Sequence, residues 1–377
     1  MALEQADFLI IGAGIAGASC GYFLARDAKV IVLERESQPG YHSTGRSAAL
    51  FSETYGNFVI RALTVASGPF FDNPPPGFAD HPLVGPRGTI IFGHEGQRAK
   101  LDAMYEEWRK LVATVQRLDQ QQTLAIHPLL EPDKLIGSVY EPDAKDIDVH
   151  AVHHGFLRGL RAHGGRVVND AEARTIGRQD GKWLVQTPAG DFAAPVLIDA
   201  AGAWCDEIGK LAGARPIGLV PKRRTAFTFN GPADTDYNHL PMALDADEEF
   251  YVKPEVGQFL ASPADETPME PCDVQPDEYD IAEAVEQIEQ NTKLRVRRIN
   301  NKWAGLRSFV ADRSPVVGFD DRVENFFWLA GQGGYGIQTA PAMGEVAAAL
   351  AQRRDLPALP ARLGVTAEAL SPRRLRG

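Results

Sequence analysis

Three closely spaced glycines near the start of the chain, followed by an acid, are its clearest candidates for chemistry. Gly12, Gly14 and Gly17 stand in the pattern Gly-x-Gly-x-x-Gly, and Glu34 lies 17 positions beyond the last of them. In a nucleotide-binding turn the first glycine allows a tight bend, the second lets backbone amides approach a pyrophosphate, and the third lets helix and strand pack closely. A carboxylate at the position of Glu34 can accept both hydroxyls of a ribose and disfavours the 2′-phosphate of NADP. The spacing therefore predicts a dinucleotide site whose turn consists of Gly12, Ala13, Gly14, Ala16 and Gly17.

A strand, a helix and a second strand would have to position this turn. Phe8 to Ile11 is a short apolar run, residues 18–26 have a helical pattern, and residues 30–33 form another apolar run that ends at Glu34. The start of the helix would then face the phosphates with its positive dipole end. This pattern alone leaves FAD and NAD open as the cofactor.

Similar signals recur in two later parts of the chain. Residues 195–204 form an apolar run that leads into small residues and a helix at 205–212. Residues 326–330 form a buried strand that leads into a glycine-rich turn and a helix at about 340–353. The segments between them read mostly as strands, with a polar helix at 281–291.

This distribution predicts two interleaved lobes. A chain of 377 residues is longer than a single hydrophobic core usually serves. We expect an α/β fold of the two-lobed α+β kind, in which a Rossmann-like nucleotide-binding domain is interleaved with an antiparallel-sheet substrate domain. The nucleotide-binding domain is placed at 1–80, 146–218 and 303–377, and the substrate domain at 81–145 and 219–302. The ligand is expected where the two domains meet.

The composition disfavours several classes of function. With 39 basic and 50 acidic residues, the net charge of −11 would repel a polyanion, so nucleic acid is not expected as a partner. The three cysteines lie far apart without metal-site spacing, which favours a reducing cytoplasm and no metal. The acidic start is unlike a signal peptide, and no apolar run reaches the ~18 residues of a membrane span. We therefore expect a cytoplasmic protein without an integral membrane segment.

Several long segments, spread over nearly the whole chain, carry a resemblance to a known family. They are IIGAGIAGAS, ERESQPGYHSTGRSAA, FFDNPPPGF, DAAGAWCD, GLVPKRR, EEFYVKP, WAGLRSFVAD, GQGGYGIQT and LSPRRL. Together they resemble the D-amino-acid-oxidase superfamily of flavoproteins, and closely the bacterial FAD-dependent D-arginine dehydrogenases. This resemblance makes the nucleotide-binding domain an FAD-binding domain. It also implies a non-covalent FAD, because the covalent branch uses a cysteine near its late arginine segment and no cysteine follows Cys272 here.

The resemblance further implies which residues contact the cofactor. Glu34 and Arg35 match the positions at the adenosine end. The loop along the flavin is matched by Ser43, Thr44, Ser47 and Ala48. The remaining candidates are Ala173, Gly202 and, in the turn that closes over the flavin ring, Gly331, Gly333, Gly334, Tyr335, Gly336, Ile337 and Gln338.

For the substrate, the resemblance implies a carboxylate held beside the flavin. Arg307 and Arg224 match two arginines of the family, and the planar guanidinium group suits bidentate binding of a carboxylate. Tyr55 and Tyr251 match two phenols that can donate to the same carboxylate, and Gly334 matches a backbone carbonyl that accepts from the substrate amine. These five residues are the candidate catalytic residues.

The chain departs from the family at two pocket positions. Leu50 stands where the family has a histidine, and Thr89 stands where it has the glutamate that pairs with a substrate guanidinium. Losing that charged partner should cost an arginine side chain about 2 to 5 kcal/mol. We therefore expect a D-amino acid with a neutral or apolar side chain rather than D-arginine. Glu53, close by in the sequence, is a third pocket candidate that could restore an anionic partner.

Three functions remain open from the sequence. The first is FAD-dependent oxidation of a D-amino acid by hydride transfer, giving an imine that water hydrolyses to a 2-oxo acid and ammonia. The second keeps this chemistry on a 2-hydroxy acid or on a secondary amine such as sarcosine. The third is a flavin-binding module without turnover. In the first two the partners are a small carboxylate substrate and an electron acceptor whose identity the sequence leaves open.

Overall fold

A computed structural model describes residues 3–376 and has a mixed α/β fold with four β-sheets. The strands are β1 (Glu4–Gln5), β2 (Phe8–Ile11), β3 (Val30–Leu33), β4 (Leu50–Phe51), β5 (Val84–Pro86), β6 (Thr89–His94), β7 (Gln116–Leu118), β8 (Leu135–Glu141), β9 (Lys145–Ile147), β10 (Arg166–Val168), β11 (Thr175–Gln179), β12 (Lys182–Thr187), β13 (Gly190–Ala194), β14 (Val196–Asp199), β15 (Val220–Phe229), β16 (Met242–Asp245), β17 (Tyr251–Glu255), β18 (Gln258–Ser262), β19 (Ile299–Phe309), β20 (Val316–Phe319) and β21 (Phe326–Ala330). The helices are α1 (Ile15–Leu24), α2 (Phe58–Asp72), α3 (Arg98–Trp108), α4 (Gln120–Ile126), α5 (Val149–Ala162), α6 (Cys205–Leu211), α7 (Glu278–Asn291), α8 (Gly336–Ala351), α9 (Ala358–Arg362) and α10 (Ala367–Leu370). Two 3₁₀ helices cover Gly202–Trp204 and Pro372–Leu375.

The six-stranded sheet is the frame of the nucleotide site. Its strands lie in the order β10-β3-β2-β14-β21-β20, and all neighbours are parallel except β20 and β21. The first five strands therefore have the order of a Rossmann sheet, in which β2 and β14 are neighbours at the point where the chain changes direction across the sheet. β2, β3 and β21 are buried along their whole length, as expected for parallel strands covered on both faces.

Helices cover one face of this sheet and smaller strands cover the other. On the first face α1 packs closely on α8, because a Cβ at Gly344 would lie 2.8 Å from the backbone carbon of Ser19. On the opposite face Trp183 and Phe192, from β12 and β13, pack in one core with Trp328 of β21. The sheet is thus the middle layer of three, and its strand ends are the part left open to a ligand.

The eight-stranded sheet carries the second core. Its order is β19-β15-β18-β17-β16-β6-β8-β7, and it is antiparallel except for the parallel pair β6 and β16. Phe227 and Phe259 pack from one face against Ile281 and Ile288 of α7. The other face is turned toward the cavities described below.

The strands of the two large sheets can be compared with the predicted domain segments. All six strands of the Rossmann-like sheet lie within the three segments assigned to the FAD-binding domain. Seven strands of the eight-stranded sheet lie within the other two segments, whereas β19 crosses the expected boundary at residue 303. The mixed α/β fold class is confirmed, and the domain boundaries stay a prediction.

Between residues 3 and 376, no helix is both long enough and apolar enough to cross a bilayer. The cytoplasmic location stays a prediction.

Candidate active site

The glycine-rich turn is built as its sequence predicts. Gly12 has φ 100°, and a Cβ at this position would lie 2.4 Å from the carbonyl oxygen of Ala200. A Cβ at Gly17 would lie 1.9 Å from the carbonyl oxygen of Gly12. Both positions therefore need glycine, and the bend brings the chain to the start of α1 at Ile15. The Ile15 amide donates to Thr44 Oγ1 at 3.0 Å, which joins the turn to the candidate flavin loop.

Glu34 lies at the end of β3, beside the turn. Its Oε2 accepts from the Ala13 amide at 2.9 Å and its Oε1 accepts from the Glu36 amide at 3.0 Å. Burial raises the pKa of Glu34, and these two backbone hydrogen bonds act against the rise. Each carboxylate oxygen can accept a second hydrogen bond, so Glu34 can still receive the hydroxyls of a ribose.

Three adjoining cavities extend from this turn. The first has a volume of about 280 Å³, and among its lining residues are Gly12, Gly14, Glu34, Arg35, Ser43, Thr44, Ala173 and Gly202. The second, of about 130 Å³, is lined in part by Gly14, Ala16, Ser43, Thr44, Ser47, Ala48, Gly202, Gly333, Gly334, Gly336 and Ile337. The third, of about 710 Å³, is reached by Ser47, Ala48, Gly334, Tyr335, Ile337 and Gln338. Shared lining residues show that the three cavities adjoin one another along one path.

This path fits the shape of an FAD. The glycine turn and Glu34 lie at one end, where a pyrophosphate and an adenosine would bind, and the glycine-rich turn before α8 lies at the other. Most of the predicted cofactor residues line the path. Ala13, Gly17 and Gly331 do not line it. The Ala13 amide donates to Glu34, Gly17 packs on Gly12, and Gly331 ends β21 with φ 71°.

The two candidate arginines come from neighbouring strands. Arg224 of β15 lies opposite Gly305 of β19, and Arg307 is two residues further along β19, so both side chains lie on the same face of the sheet. Arg223 points to the other face, where its guanidinium pairs with Asp265, Asp277 and Asp280. Strand alternation therefore gives the adjacent arginines different tasks, one structural and one at the cavity.

Arg307 has no carboxylate partner in residues 3–376. Its Nη1 donates to the Tyr55 hydroxyl at 3.1 Å, and it lines both the second and the third cavity. Burial acts to lower the pKa of Arg307, but the Tyr55 and Tyr251 phenols outweigh burial and raise it above its ordinary value. The guanidinium lies against the backbone of Gly334, where a Cβ would lie 2.8 Å from Cζ. A buried charge without a carboxylate partner can bind an anion.

Arg224 also has few hydrogen-bond partners. It is 8% exposed, its Nε has no hydrogen-bond partner among the described residues, and its Nη2 lies 3.4 Å from Glu266 Oε1. Burial, and then the charge of Arg307, lower the pKa of Arg224. Two neighbouring guanidinium groups with so little compensation strongly favour an anion between them.

Glu266 is the carboxylate nearest to this pair, and other cations hold it. It accepts from Arg313 at 2.7 and 2.9 Å and from Lys222 at 2.8 Å. The hydrogen bond from Arg313 is the main reason that the pKa of Glu266 falls to about 2. Glu266 is therefore ionised and lines the cavity as a competitor for any anion that binds Arg224.

The rest of the large cavity has an apolar part and a charged part, and the charged part consists of Lys100, Asp245, Asp247, Glu248, Glu266, Asp312 and Arg313. Leu50 and Thr89 line the cavity as predicted, and it is also lined by Tyr55, Tyr251 and a set of apolar side chains, which are Ile91, Met104, Trp108, Met242 and Leu244. Glu53 does not line it, since the described lining includes its neighbours Ser52 and Thr54 but not Glu53. The backbone amide of Glu53 instead donates to Glu141 at 2.7 Å, on the far side of the loop.

Sequence reasoning missed several residues of the site. Met104 and Trp108 reach the cavity from α3, and Glu266 reaches it from the loop after β18. Glu141 lies behind the loop that carries Tyr55. The sequence offered no signal for these residues, because none belongs to a motif and their nearness depends on how the two sheets pack.

Comparison with known proteins places this geometry in a family. The model of the family described as DAO, FAD dependent oxidoreductase, matches residues 7–350. Dimethylglycine dehydrogenase, mitochondrial, of Homo sapiens is 25% identical over 91% of this chain, and this chain spans only 42% of that protein. Glycine oxidase of Bacillus licheniformis is 25% identical over 92% of both chains. The crystal structure of L-proline dehydrogenase from P. horikoshii has a TM-score of 0.85 with 19% identity, covering 100% of this chain and 99% of that one.

The resemblance found in the sequence is therefore confirmed at the level of the superfamily, and so is FAD as the cofactor. The match to the family model covers most of the chain, and the similar structure shares its fold from end to end. The chain belongs to the DAO family of FAD-dependent oxidoreductases.

Proposed function

We propose that this oxidoreductase acts on a small D-amino acid with a neutral or apolar side chain. The observation that carries the proposal is the pair of guanidinium groups, Arg307 and Arg224, on the cavity wall without adequate carboxylate partners. A carboxylate substrate supplies the missing anion, and its position between two fixed arginines fixes its orientation as well.

In this proposal Arg307, Arg224, Tyr55, Tyr251 and Gly334 form a clamp for the substrate, and each has a separate task. Arg307 and Arg224 bind the carboxylate, and the Tyr55 hydroxyl, already hydrogen-bonded to Arg307, helps to orient it. Tyr251 closes the same part of the cavity, and the Gly334 carbonyl accepts from the substrate amine. FAD, when bound, supplies the acceptor for the hydride that leaves the substrate Cα. The residues themselves hold the substrate and exclude water from it.

The apolar part of the cavity wall supports a substrate with an apolar side chain. Leu50 and Thr89 replace two polar residues of the resembled dehydrogenases, and Met104 and Trp108 add apolar surface. Glu53 does not line the cavity, whereas Asp245, Asp247, Glu248, Glu266 and Asp312 do, so D-arginine is the direct competitor in the substrate screen. A cavity of about 710 Å³ also exceeds what glycine alone requires.

A non-covalent FAD is part of the proposal. None of the three cysteines is among the lining residues of the three cavities, and Cys20 and Cys205 are buried in the cores of the Rossmann-like part. Treatment with acid should therefore release the flavin into the supernatant. Flavin that stays with the precipitated protein would contradict this.

A secondary amine is the second candidate substrate. Two relatives, named dimethylglycine dehydrogenase and glycine oxidase, favour a small glycine derivative, but their named substrates are a tertiary and a primary amine. The same clamp would hold the carboxylate of an N-methyl glycine or of a 2-hydroxy acid, so the arginines do not separate these candidates.

The test is an anaerobic screen of flavin reduction followed by admission of air. The probes are D-leucine, D-phenylalanine, D-arginine and D-lysine, their L-forms, glycine, sarcosine and lactate of both hands. We expect the fastest bleaching with D-leucine or D-phenylalanine. A clear lead of D-arginine or of sarcosine in kcat/KM would contradict the proposed substrate. No bleaching by any probe would favour a flavin-binding module without turnover. The rate of recovery in air then separates an oxidase from a dehydrogenase.

A further inference from the structure

A buried carboxylate lies directly behind the loop that carries Tyr55. Glu141 ends β8 and is 3% exposed. Its Oε2 accepts from Ser52 Oγ and from Thr54 Oγ1, both at 2.7 Å, and its Oε1 accepts from the Glu53 amide at 2.7 Å. Glu141 therefore receives three hydrogen bonds from three consecutive residues of one loop.

The two residues that carry these hydroxyls line the cavity. Ser52 and Thr54 both line the large cavity, although each is nearly fully buried, and their oxygens are 3.2 Å apart. Glu141 itself does not line the cavity. The hydroxyls therefore connect the space that the substrate would occupy with a carboxylate that the substrate does not touch.

A second carboxyl group, that of Glu53, lies near Glu141 and closer to the surface. Glu53 lies beside Glu141 and is partly exposed. Burial, and then the charge of Glu141, raise the pKa of Glu53 to about 7, and burial also raises the pKa of Glu141. The other charged groups that face Glu53 are Lys145 of β9, Asp143 in the turn before it and Asp72 at the end of α2. Two neighbouring carboxyl groups with raised pKa values take up and release a proton as a pair.

The proposed reaction needs a group that accepts a proton from the substrate amine. A substrate amine that is protonated in solution must lose one proton before its Cα hydride can leave, and no histidine is among the described lining residues of the large cavity. We propose that this proton leaves the cavity through the Ser52 and Thr54 hydroxyls to Glu141, and from there through Glu53 to solvent. The N–H bond of the ammonium group breaks, its proton passes to a hydroxyl oxygen, and the proton of that hydroxyl passes to Glu141 Oε2. The flavin takes no part in this step.

This inference rests on the proposed function, and its test separates a proton route from a merely structural anchor. The variants are Glu141→Gln and Thr54→Val, with Asp143→Asn as a control that removes an exposed carboxylate beside Glu53. The FAD-loaded proteins are mixed with saturating D-leucine under anaerobic conditions. The rate of flavin reduction is measured at pH 7 and at a pH above the pKa of the free amine.

If the proton leaves by this route, the variants should reduce flavin more slowly to a degree that depends on pH. At pH 7 both variants should reduce flavin about 100-fold more slowly than wild type, as for removal of a proton acceptor. Above the amine pKa the substrate is already neutral, and the rates should approach that of wild type. Asp143→Asn removes only one of the charges that face Glu53, so at pH 7 its rate should stay far closer to wild type than those of the two variants, and above the amine pKa it should equal wild type. The same fold-loss at both pH values would overturn the proposal, because a misplaced loop slows the reaction regardless of the charge on the substrate.

A second measurement needs no substrate. Infrared spectra of the FAD-loaded protein should show a buried carboxyl band that titrates near pH 7, and that is shifted in Glu53→Gln and in Glu141→Gln alike. A band that responds to neither substitution would overturn the carboxyl pair. Wild-type flavin that no probe reduces would instead contradict the proposed function, and the infrared titration would still decide whether the pair exists.

Discussion

The contact between Gly334 and Arg307 gives the sharpest prediction for the carboxylate clamp. A Cβ at Gly334 would lie 2.8 Å from both Cζ and Nη1 of Arg307 and 2.9 Å from its Nε. A normal carbon contact is about 3.5 Å or more, so the guanidinium must move by roughly 0.7 Å or turn away from the flavin path. The Gly334 backbone has no positive φ, so alanine acts here through its volume.

This displacement has a calculable effect. A hydrogen bond to a charged group contributes about 1.5 to 3 kcal/mol, and misplacing Arg307 should weaken at least one such bond to the carboxylate. Gly334→Ala should therefore reduce carboxylate affinity about 10- to 100-fold. FAD content should stay near wild type, because most of the cofactor path lies elsewhere.

The assay is a titration of the FAD-loaded protein with acetate, followed by the change in flavin absorption, together with kcat/KM for D-leucine. The matched control is Gly177→Ala on β11, where a Cβ would meet nothing within 4 Å. Equal acetate affinity in Gly334→Ala, Gly177→Ala and wild type would refute the reasoning that Arg307 binds the carboxylate from its present position.

Three further predictions concern the counter-ion, the cofactor turn and a buried acid. Glu266→Gln removes the competitor beside Arg224, so acetate should bind several-fold more tightly, and unchanged or weaker binding in the same titration would contradict this. Gly12→Ala places a Cβ 2.4 Å from the Ala200 carbonyl oxygen at φ 100°, so the purified protein should carry little flavin, as measured by the ratio of flavin to protein absorbance; full FAD occupancy would refute it. Burial raises the pKa of Asp199 well above its ordinary value of 3.8. The protonated carboxyl group therefore stabilises the fold at low pH, and this stabilisation is lost as the pH rises from 3.8 through the raised pKa. Asp199→Asn should therefore gain in free energy of unfolding over wild type between acid and neutral pH in urea titrations, and a constant difference across pH would contradict the assignment.

The sequence predicted the Rossmann-like part because local patterns specify it. The apolar runs at 8–11 and 30–33, and the strand at 326–330, appear in the structure with those bounds. The late helix was placed at about 340–353 but begins at Gly336, since a glycine-rich start hides the first turn of a helix.

The substrate part was less predictable. The sequence between 219 and 302 reads mostly as strands, but this pattern does not show that β17 and β18 form a hairpin with a turn at Val256 and Gly257. Val256 has φ 39°, a conformation that β-branched residues rarely adopt, so its type gives no sign of a turn. The pairing of β6 with β16 is a parallel contact between distant segments, which the pattern of one strand cannot reveal.

Some residues of the candidate site could likewise be predicted from the sequence, and others could not. Arg224 and Arg307 could be chosen from motifs, and the structure brings them to one sheet face with Tyr55 at 3.1 Å from Arg307. Glu141 and Glu266 could not be chosen, because each acts through partners far away in sequence. Glu53, in contrast, was chosen from the sequence because it is close to Tyr55, but it does not line the cavity.

The most direct test of the account is the double variant Arg307→Met and Arg224→Met, compared with wild type as FAD-loaded protein. The measurement is the anaerobic rate of flavin reduction as a function of the concentration of the best substrate from the screen. Loss of both guanidinium groups should weaken apparent substrate affinity by at least about 100-fold and slow reduction, with FAD content unchanged. Turnover and affinity equal to those of wild type would contradict the claim that these two arginines hold the substrate carboxylate.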